Sequence, residues 1–156
     1  MAHKEVKAMR LTRAGEYAVR CMLYLSCLGV DKVGNRLEIA QAMDIPAQFL
    51  GKIAQQLAKA GYIEIVQGPK GGFRLVLPPE KVTLLGVIEA VIGEIYLNDC
   101  LMRPESCRRS PTCSVYHVWD KARRQLRQTL EQTTFATLHS KPSCIDLIGK
   151  SQNQRR

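Results

Sequence analysis

Acidic residues are scarce in this sequence: 14 Asp and Glu stand against 23 Lys and Arg in 156 residues, leaving a formal charge of +9. That imbalance favours a polyanionic partner such as nucleic acid and disfavours an acidic small-molecule substrate. The chain also lacks any apolar run long enough to cross a bilayer, and its opening, MAHKEVKAMRLTR, has no apolar stretch of the kind a secretory signal needs. No membrane partner is therefore expected, and the expected location is the cytoplasm. Thiols stay reduced there, and clustered cysteines serve metal or redox chemistry more often than structural bridges. A phosphate-cradling GxxxxGK motif followed by Ser or Thr is absent too. The length suits about one domain with a real core, not a large multi-domain enzyme, and no enzymatic activity is expected.

What is present reads as helices followed by a hairpin. Residues 1–8 form a polar leader. Thr12 can cap a first helix that carries Tyr17, Ala18, Cys21, Met22, Leu25 and Leu28 at three- and four-residue spacing and ends near Gly29. After a Gly34-Asn35 turn, Leu37, Ile39, Ala40 and Met43 mark a short second helix. Pro46 opens a third, which Gly61 closes. This third helix has an apolar stripe of Phe49, Leu50, Ile53, Ala54, Leu57 and Ala60. Its other stripe is Gln48, Lys52, Gln55 and Lys59, long side chains without an acid that can reach phosphates or base edges in a major groove. A merely solvated face would look the same on this helix alone.

The segment that follows tips the balance towards DNA. Residues 62–67 and 73–77 are apolar and β-branched and flank Gly68-Pro69-Lys70-Gly71-Gly72, so they predict a β-hairpin with Lys70 at its tip as a phosphate or minor-groove contact. Three helices and a two-stranded wing make a winged helix-turn-helix over residues 9–79. Beyond Pro78-Pro79, Thr83 can cap a helix with Leu84, Val87, Ile88, Val91 and Ile92. A loop over 93–113 then leads to a long helix from Ser114 to about Leu138, whose seam of Val115, Val118, Trp119, Ala122, Leu126, Leu130 and Thr133 approximates a heptad. That seam is more than one small winged domain can cover, which predicts a homodimer. Residues 80–138 thus form a loop-and-dimerisation unit, and 139–156 a flexible tail. The expected fold class is mainly α with a small β-hairpin wing.

The six cysteines divide unevenly. Cys21 and Cys27 lie in an apolar run and read as small core hydrophobes, and Cys144 has no partner spacing. Cys100, Cys107 and Cys113 fall within fourteen residues, with six and five residues between them, on the expected loop. Three thiols on a loop can converge on one centre. The intervals are too wide for the CxxC knuckles of structural zinc, whereas iron–sulfur ligation accepts them. A thiol/disulfide switch without metal is the alternative. A small electron carrier would need neither wing nor seam.

Met9-Arg10-Leu11-Thr12 with Gly15, Tyr17 and Ala18, then Leu57 with Ala60-Gly61-Tyr62-Ile63, the wing Gly68-Pro69-Lys70-Gly71-Gly72-Phe73 and the later cysteines together resemble the Rrf-two family of bacterial transcription regulators. The similarity runs from Met9 to about Leu138. The resemblance implies a homodimeric winged-helix transcription factor, a long helix crossing onto the partner, and an iron–sulfur cluster on three cysteines that senses cluster status, redox state or nitric oxide. A two-iron cluster is placed ahead of a four-iron one. It leaves one ligand position open. IscR-like members carry a histidine three residues after the last cysteine; Tyr116 stands there and His117 follows. NsrR-like members use an acid from the first helix of the other subunit, a place matched by Glu16. Solvent or a small thiol is the remaining option. IscR-like members also carry an acid on the recognition helix where Gly51 stands, and an arginine before the wing glycine where Gln67 stands, so a different operator is implied. Arg10 and Arg13 would hold phosphate, and two recognition helices about a two-fold axis imply an approximate inverted repeat of double-stranded DNA.

Overall fold

The computed structural model of the protein describes residues 12–139. Helix α1 (Arg13–Leu28) starts where Thr12 Oγ1 accepts a hydrogen bond from the Gly15 amide at 3.4 Å, and it stops at Gly29. Its buried face is Tyr17, Ala18, Cys21, Met22, Tyr24 and Leu25. Cys27 departs from expectation: it is half-buried, not core, and sits in a disulfide. Helix α2 (Arg36–Ala42) is capped by Asn35, whose Oδ1 accepts from the Leu37 amide at 2.9 Å and the Glu38 amide at 3.4 Å. It buries Ile39, Ala40 and, at its end, Met43, but leaves Leu37 64% exposed.

Helix α3 (Ala47–Lys59) begins after Pro46, whose missing N–H costs nothing at a helix start. It ends as Gly61 turns the chain with φ of 82°. Leu50, Ile53, Ala54 and Leu57 are its core stripe. Phe49 and Ala60, expected on that stripe, lie outside it. Phe49 sits on the flank of the first turn, 48% exposed, its ring 6.1 Å from that of Tyr17, and Ala60 is the exposed cap residue.

Strands β1 (Ile63–Val66) and β2 (Gly72–Leu75) pair antiparallel in the register Ile63–Leu75, Ile65–Phe73. The hairpin is as expected, with shorter strands. The wing is tied to the α2 turn by two backbone hydrogen bonds, Gly34 amide to Phe73 O at 2.8 Å and Phe73 amide to Gly34 O at 2.9 Å. This contact needs glycine at position 72, because a Cβ there would lie 2.0 Å from Gly34 O.

Helix α4 (Leu84–Ile92), capped by Thr83 Oγ1, packs on α1, and the one-turn α5 (Asp99–Met102) opens the cysteine segment. The long helix α6 (Ser114–Gln132) is shorter than the sequence implied. It does not run on to Leu138, because Thr133 and Thr134 are β-branched and leave the helical conformation. The Leu84 amide donates to Thr133 O at 2.8 Å, Thr134 bridges Thr83, and the Phe135 amide donates to Val82 O at 3.0 Å. Phe135 opens α7 (Phe135–His139) and is fully buried in the main core with α1 residues, Val82 and Val87.

The seam of α6 is divided. Leu126 and Leu130 pack on Leu85, Ile88 and Ile95 of the same chain, while Val115, Val118 and Trp119 are 48%, 61% and 43% exposed. Among the described residues no helix is long and apolar enough to cross a membrane. The expected leader and the tail beyond His139 lie outside the described residues.

Candidate functional site

Gln48, Lys52, Gln55 and Lys59 are all exposed on α3, opposite the stripe that buries Leu50, Ile53, Ala54 and Leu57. One periodicity therefore fixes both faces: the apolar residues lock the helix to the core, and the long polar ones must point outward. Lys70 is exposed at the wing tip, and Arg13 is exposed in the first turn of α1. Arg10 lies outside the described residues. Between α3 and the wing runs a cleft of about 400 Å³ whose walls include Arg36, Gly51, Gln55, Gln67 and Pro69. Arg36 was not legible as a site residue. Its guanidinium crosses from the start of α2, donates from Nη2 to Ala47 O at 2.8 Å, and lies against Gly51.

The cysteine segment is made of short turns. Cys100 is half-buried on α5, Cys107 is exposed after the turn Pro104–Ser106, and Cys113 is half-buried at the cap of α6 after the turn Ser110–Thr112. All three are free thiols. Among the described residues, no three Cys, His, Asp or Glu side chains are grouped to hold a metal ion, so the arrangement does not gather the three sulfurs. Beside Cys107 opens a cavity of about 500 Å³ with Ser110, Tyr116 and His117 in its wall. The Tyr116 and His117 rings meet edge to face, 5.8 Å apart, and His117 is exposed. Ser110 Oγ is buried without a hydrogen-bond partner, as is Asn98 Oδ1. Orphaned buried polar atoms carry a cost, and a segment with two of them is one that a bound group or a rearrangement can relieve. Thiols are donors an iron–sulfur cluster accepts, but of the three only Cys107 lines this cavity. Glu16 is exposed in the first turn of α1.

Cys21 is different in kind. Complete burial pushes its thiol up to about 12, so it stays protonated and inert.

Sequence reasoning also missed the connection between this segment and α3. Arg123 Nε donates to Ile95 O at 2.7 Å, its guanidinium lies 4.2 Å from the Tyr96 ring centre, and it pairs with Glu94. The Tyr96 hydroxyl donates to Glu94 at 2.9 Å; that bond first, then Arg123, holds the Glu94 carboxyl below its usual range despite some opposing desolvation. Arg127 pairs with Glu89 of α4, and Gln56 of α3 donates to Val91 O of α4 at 3.2 Å. Apart from Tyr96 and Glu94, these partners lie 27 to 38 residues apart, and no local spacing announces them.

Comparison with known proteins gives a coherent picture. The family model described as Rrf2, iron-dependent transcriptional regulator, matches residues 11–141. An HTH-type transcriptional regulator of Aquifex aeolicus is 34% identical over 125 residues, 78% of this chain and 85% of that protein. The HTH-type transcriptional regulator NsrR of Geobacillus kaustophilus is 31% identical over 83% of this chain and 89% of its own length. The solved structure of CymR, the global cysteine regulator of B. subtilis, superposes with a TM-score of 0.70 at 23% identity, covering 85% of this chain and 97% of that one, a likeness of fold.

Proposed function

Because the chain belongs to the Rrf2 family of transcriptional regulators, we propose that it works as a homodimer that binds an inverted-repeat operator and reports the state of an iron–sulfur cluster held by Cys100, Cys107 and Cys113. The observation that carries the DNA-reading part is the outward stripe Gln48, Lys52, Gln55 and Lys59 beside a wing pinned to the α2 turn by the Gly34–Phe73 pair. Arg13, Lys70 and, from the sequence, Arg10 supply charge at the edges of that surface, where phosphate contacts set position and not sequence preference. Residues 9–79 are the reading unit in this scheme, and 80–138 the sensing and dimerising unit. Val115, Val118 and Trp119 form the part of the α6 seam left for a second copy. Two α3 helices about a two-fold axis would meet half-sites about one helical turn apart.

A bound cluster would supply a group whose presence and oxidation state respond to iron, oxygen or nitric oxide. The fourth ligand is Glu16 of the partner subunit, His117, or solvent or a small thiol, and the position of His117 on the cavity beside Cys107 supports the second. Gathering three sulfurs that are now apart would pull on α5 and on the Glu94–Tyr96 stretch that Arg123 holds. By linkage, whichever state of the loop binds operator better is the one operator stabilises.

The test is anaerobic purification with visible absorbance, iron and acid-labile sulfide analysis, repeated on Cys107→Ala. Sulfide-to-iron-matched absorbance lost in the variant, with the dimer intact, is the expected result. A second reading, a thiol switch without metal, draws on the ungathered thiols and on the Cys27 disulfide. It would stand if no sulfide is found after reconstitution while oxidation of the thiols reversibly changes DNA affinity.

A further inference from the structure

Position 51 raises a question that the helix alone cannot answer. Gly51 follows Gln48 by three residues and precedes Gln55 by four, so all three share one face of α3. Glycine inside a helix is destabilising, because it loses more backbone freedom on folding than any other residue. A glycine on an exposed reading stripe also removes a side chain where one would be useful.

The space is not empty. A Cβ built on Gly51 would lie 2.9 Å from Arg36 Nη2, 3.2 Å from its Cζ and 3.5 Å from its Nη1. The guanidinium of Arg36 therefore fills the volume a side chain at 51 would take, and the hydrogen bond from Nη2 to Ala47 O at 2.8 Å fixes it there. Arg36 is exposed, and among the described residues it has no ion pair, which leaves its remaining N–H donors available along the cleft it shares with Gln55 and Gln67. An arginine fork held in one orientation, with donors and no acceptor, matches the O6 and N7 acceptors of guanine in a major groove.

We propose that Arg36, seated on Gly51 and anchored by Ala47 O, is a specificity-determining residue that reads a guanine in each half-site, replacing the side chain that α3 lacks at position 51. The inference rests on the DNA-reading proposal above. It differs from the role of the edge cations: Arg13 and Lys70 would hold phosphate, whereas Arg36 would choose a base. The pairing also explains why the glycine sits mid-helix. Any side chain at 51 pushes the fork away.

The experiment is selection of bound duplexes from a random DNA pool by the full-length protein, purified anaerobically and in air, followed by sequencing. Wild type, Arg36→Ala, Arg36→Lys and Gly51→Ala are compared. Lysine keeps the charge but not the fork, and the methyl of Gly51→Ala meets only the flexible end of Arg36, so both variants should fold even if Arg36→Ala does not. The expected result is one symmetric pair of guanines in the wild-type motif whose preference falls about ten-fold in each variant, while preferences elsewhere in the site persist. An unchanged motif, with affinity lowered equally on all sequences and a shallower salt dependence, would make Arg36 a phosphate contact and overturn the proposal. If wild type enriches no motif in either preparation, the DNA-reading assignment fails and this one falls with it.

Discussion

Replacing Phe135 with alanine removes the residue that joins the end of α6 to the body of the protein. The ring is fully buried among α1 residues, Val82 and Val87, and its amide donates to Val82 O at 3.0 Å beside the Thr83–Thr134 bridge. The backbone pairing survives the substitution, so the loss is that of the ring: its transfer term plus the cavity it leaves, about 3–5 kcal/mol for a buried phenylalanine. Against a domain stability of about 5–15 kcal/mol, that is a large fraction of the whole. With a urea slope of about 2 kcal/mol per molar, the midpoint of unfolding should fall by roughly 2 M, measured by circular dichroism at fixed protein concentration because the stability of the proposed dimer would depend on it. Leu138→Ala, at a half-buried position on the next turn, should cost clearly less. A loss under about 1 kcal/mol for Phe135→Ala, below the range for any buried phenylalanine, would mean that residues 133–139 do not enter the core and that the α6 seam continues through them.

Three further outcomes follow from named contacts. Under native conditions iodoacetamide should modify Cys107, and more slowly Cys100 and Cys113, but leave Cys21 untouched until the protein unfolds, since that thiol is buried and pushed up to about 12; mass spectrometry of the peptides checks it, and early labelling of Cys21 would contradict the core. Replacing Lys52 and Gln55 together should reduce specific operator binding at least about ten-fold without altering absorbance spectra, and unchanged affinity in a mobility-shift titration would mean that α3 does not read DNA. Glu94 is held below its usual 4.5 by the Tyr96 hydroxyl first and Arg123 second, so its contribution is complete above that value and is lost as pH falls through the lowered one. Glu94→Gln should therefore flatten the acid limb of a stability profile as pH falls below the ordinary carboxylate value of 4.5, and an identical acid limb in both proteins would remove the pair from the account.

Local signals and distant contacts differed sharply in how well the sequence revealed them. Thr12, Asn35 and Thr83 announce helix starts because the capping oxygen and its amide are two or three residues apart, and all three caps are present. The exposed face of α3 was legible because one period of 3.6 sets both its stripes. Phe49 was misplaced because a stripe has edges, and only packing decides on which side an edge residue falls. The end of α6 was missed for a different reason. Thr133, Thr134 and Phe135 fit a helical seam, but Thr83 and Val82, some fifty residues earlier, offer backbone partners and a pocket that outweigh it. Arg36 was invisible for the same reason: its meaning depends on Gly51 in another helix. The three cysteines were conspicuous by spacing, yet spacing says nothing of whether the sulfurs meet.

Magnitudes also decide what links the cysteine segment to α3. The Arg123–Glu94 and Arg127–Glu89 pairs involve side chains between 15% and 50% exposed, and solvent screens pairs with that much exposure, so each contributes little. They are too weak to hold α4 in place; that is the work of Leu85, Val87 and Ile88, each nearly buried, at about 1.5–3 kcal/mol apiece. Weak contacts are nevertheless suited to a switch. Regulatory coupling between two sites is about 1–3 kcal/mol, which two or three such contacts can supply and which a buried aliphatic row would resist. A displacement of Cys100 reaches Ile95 within five residues, and Ile95 is held by Arg123 through its carbonyl and packs on Leu85 and Ile88. From α4 the last step is the Gln56 side chain on Val91 O. In the proposed scheme α4 would be the rigid element and its polar contacts at Glu89, at Val91 and just beyond its C-terminal end at Ile95 the adjustable ones, so Gln56→Leu should weaken the dependence of operator affinity on the state of the cysteines while leaving operator choice to the other face of α3.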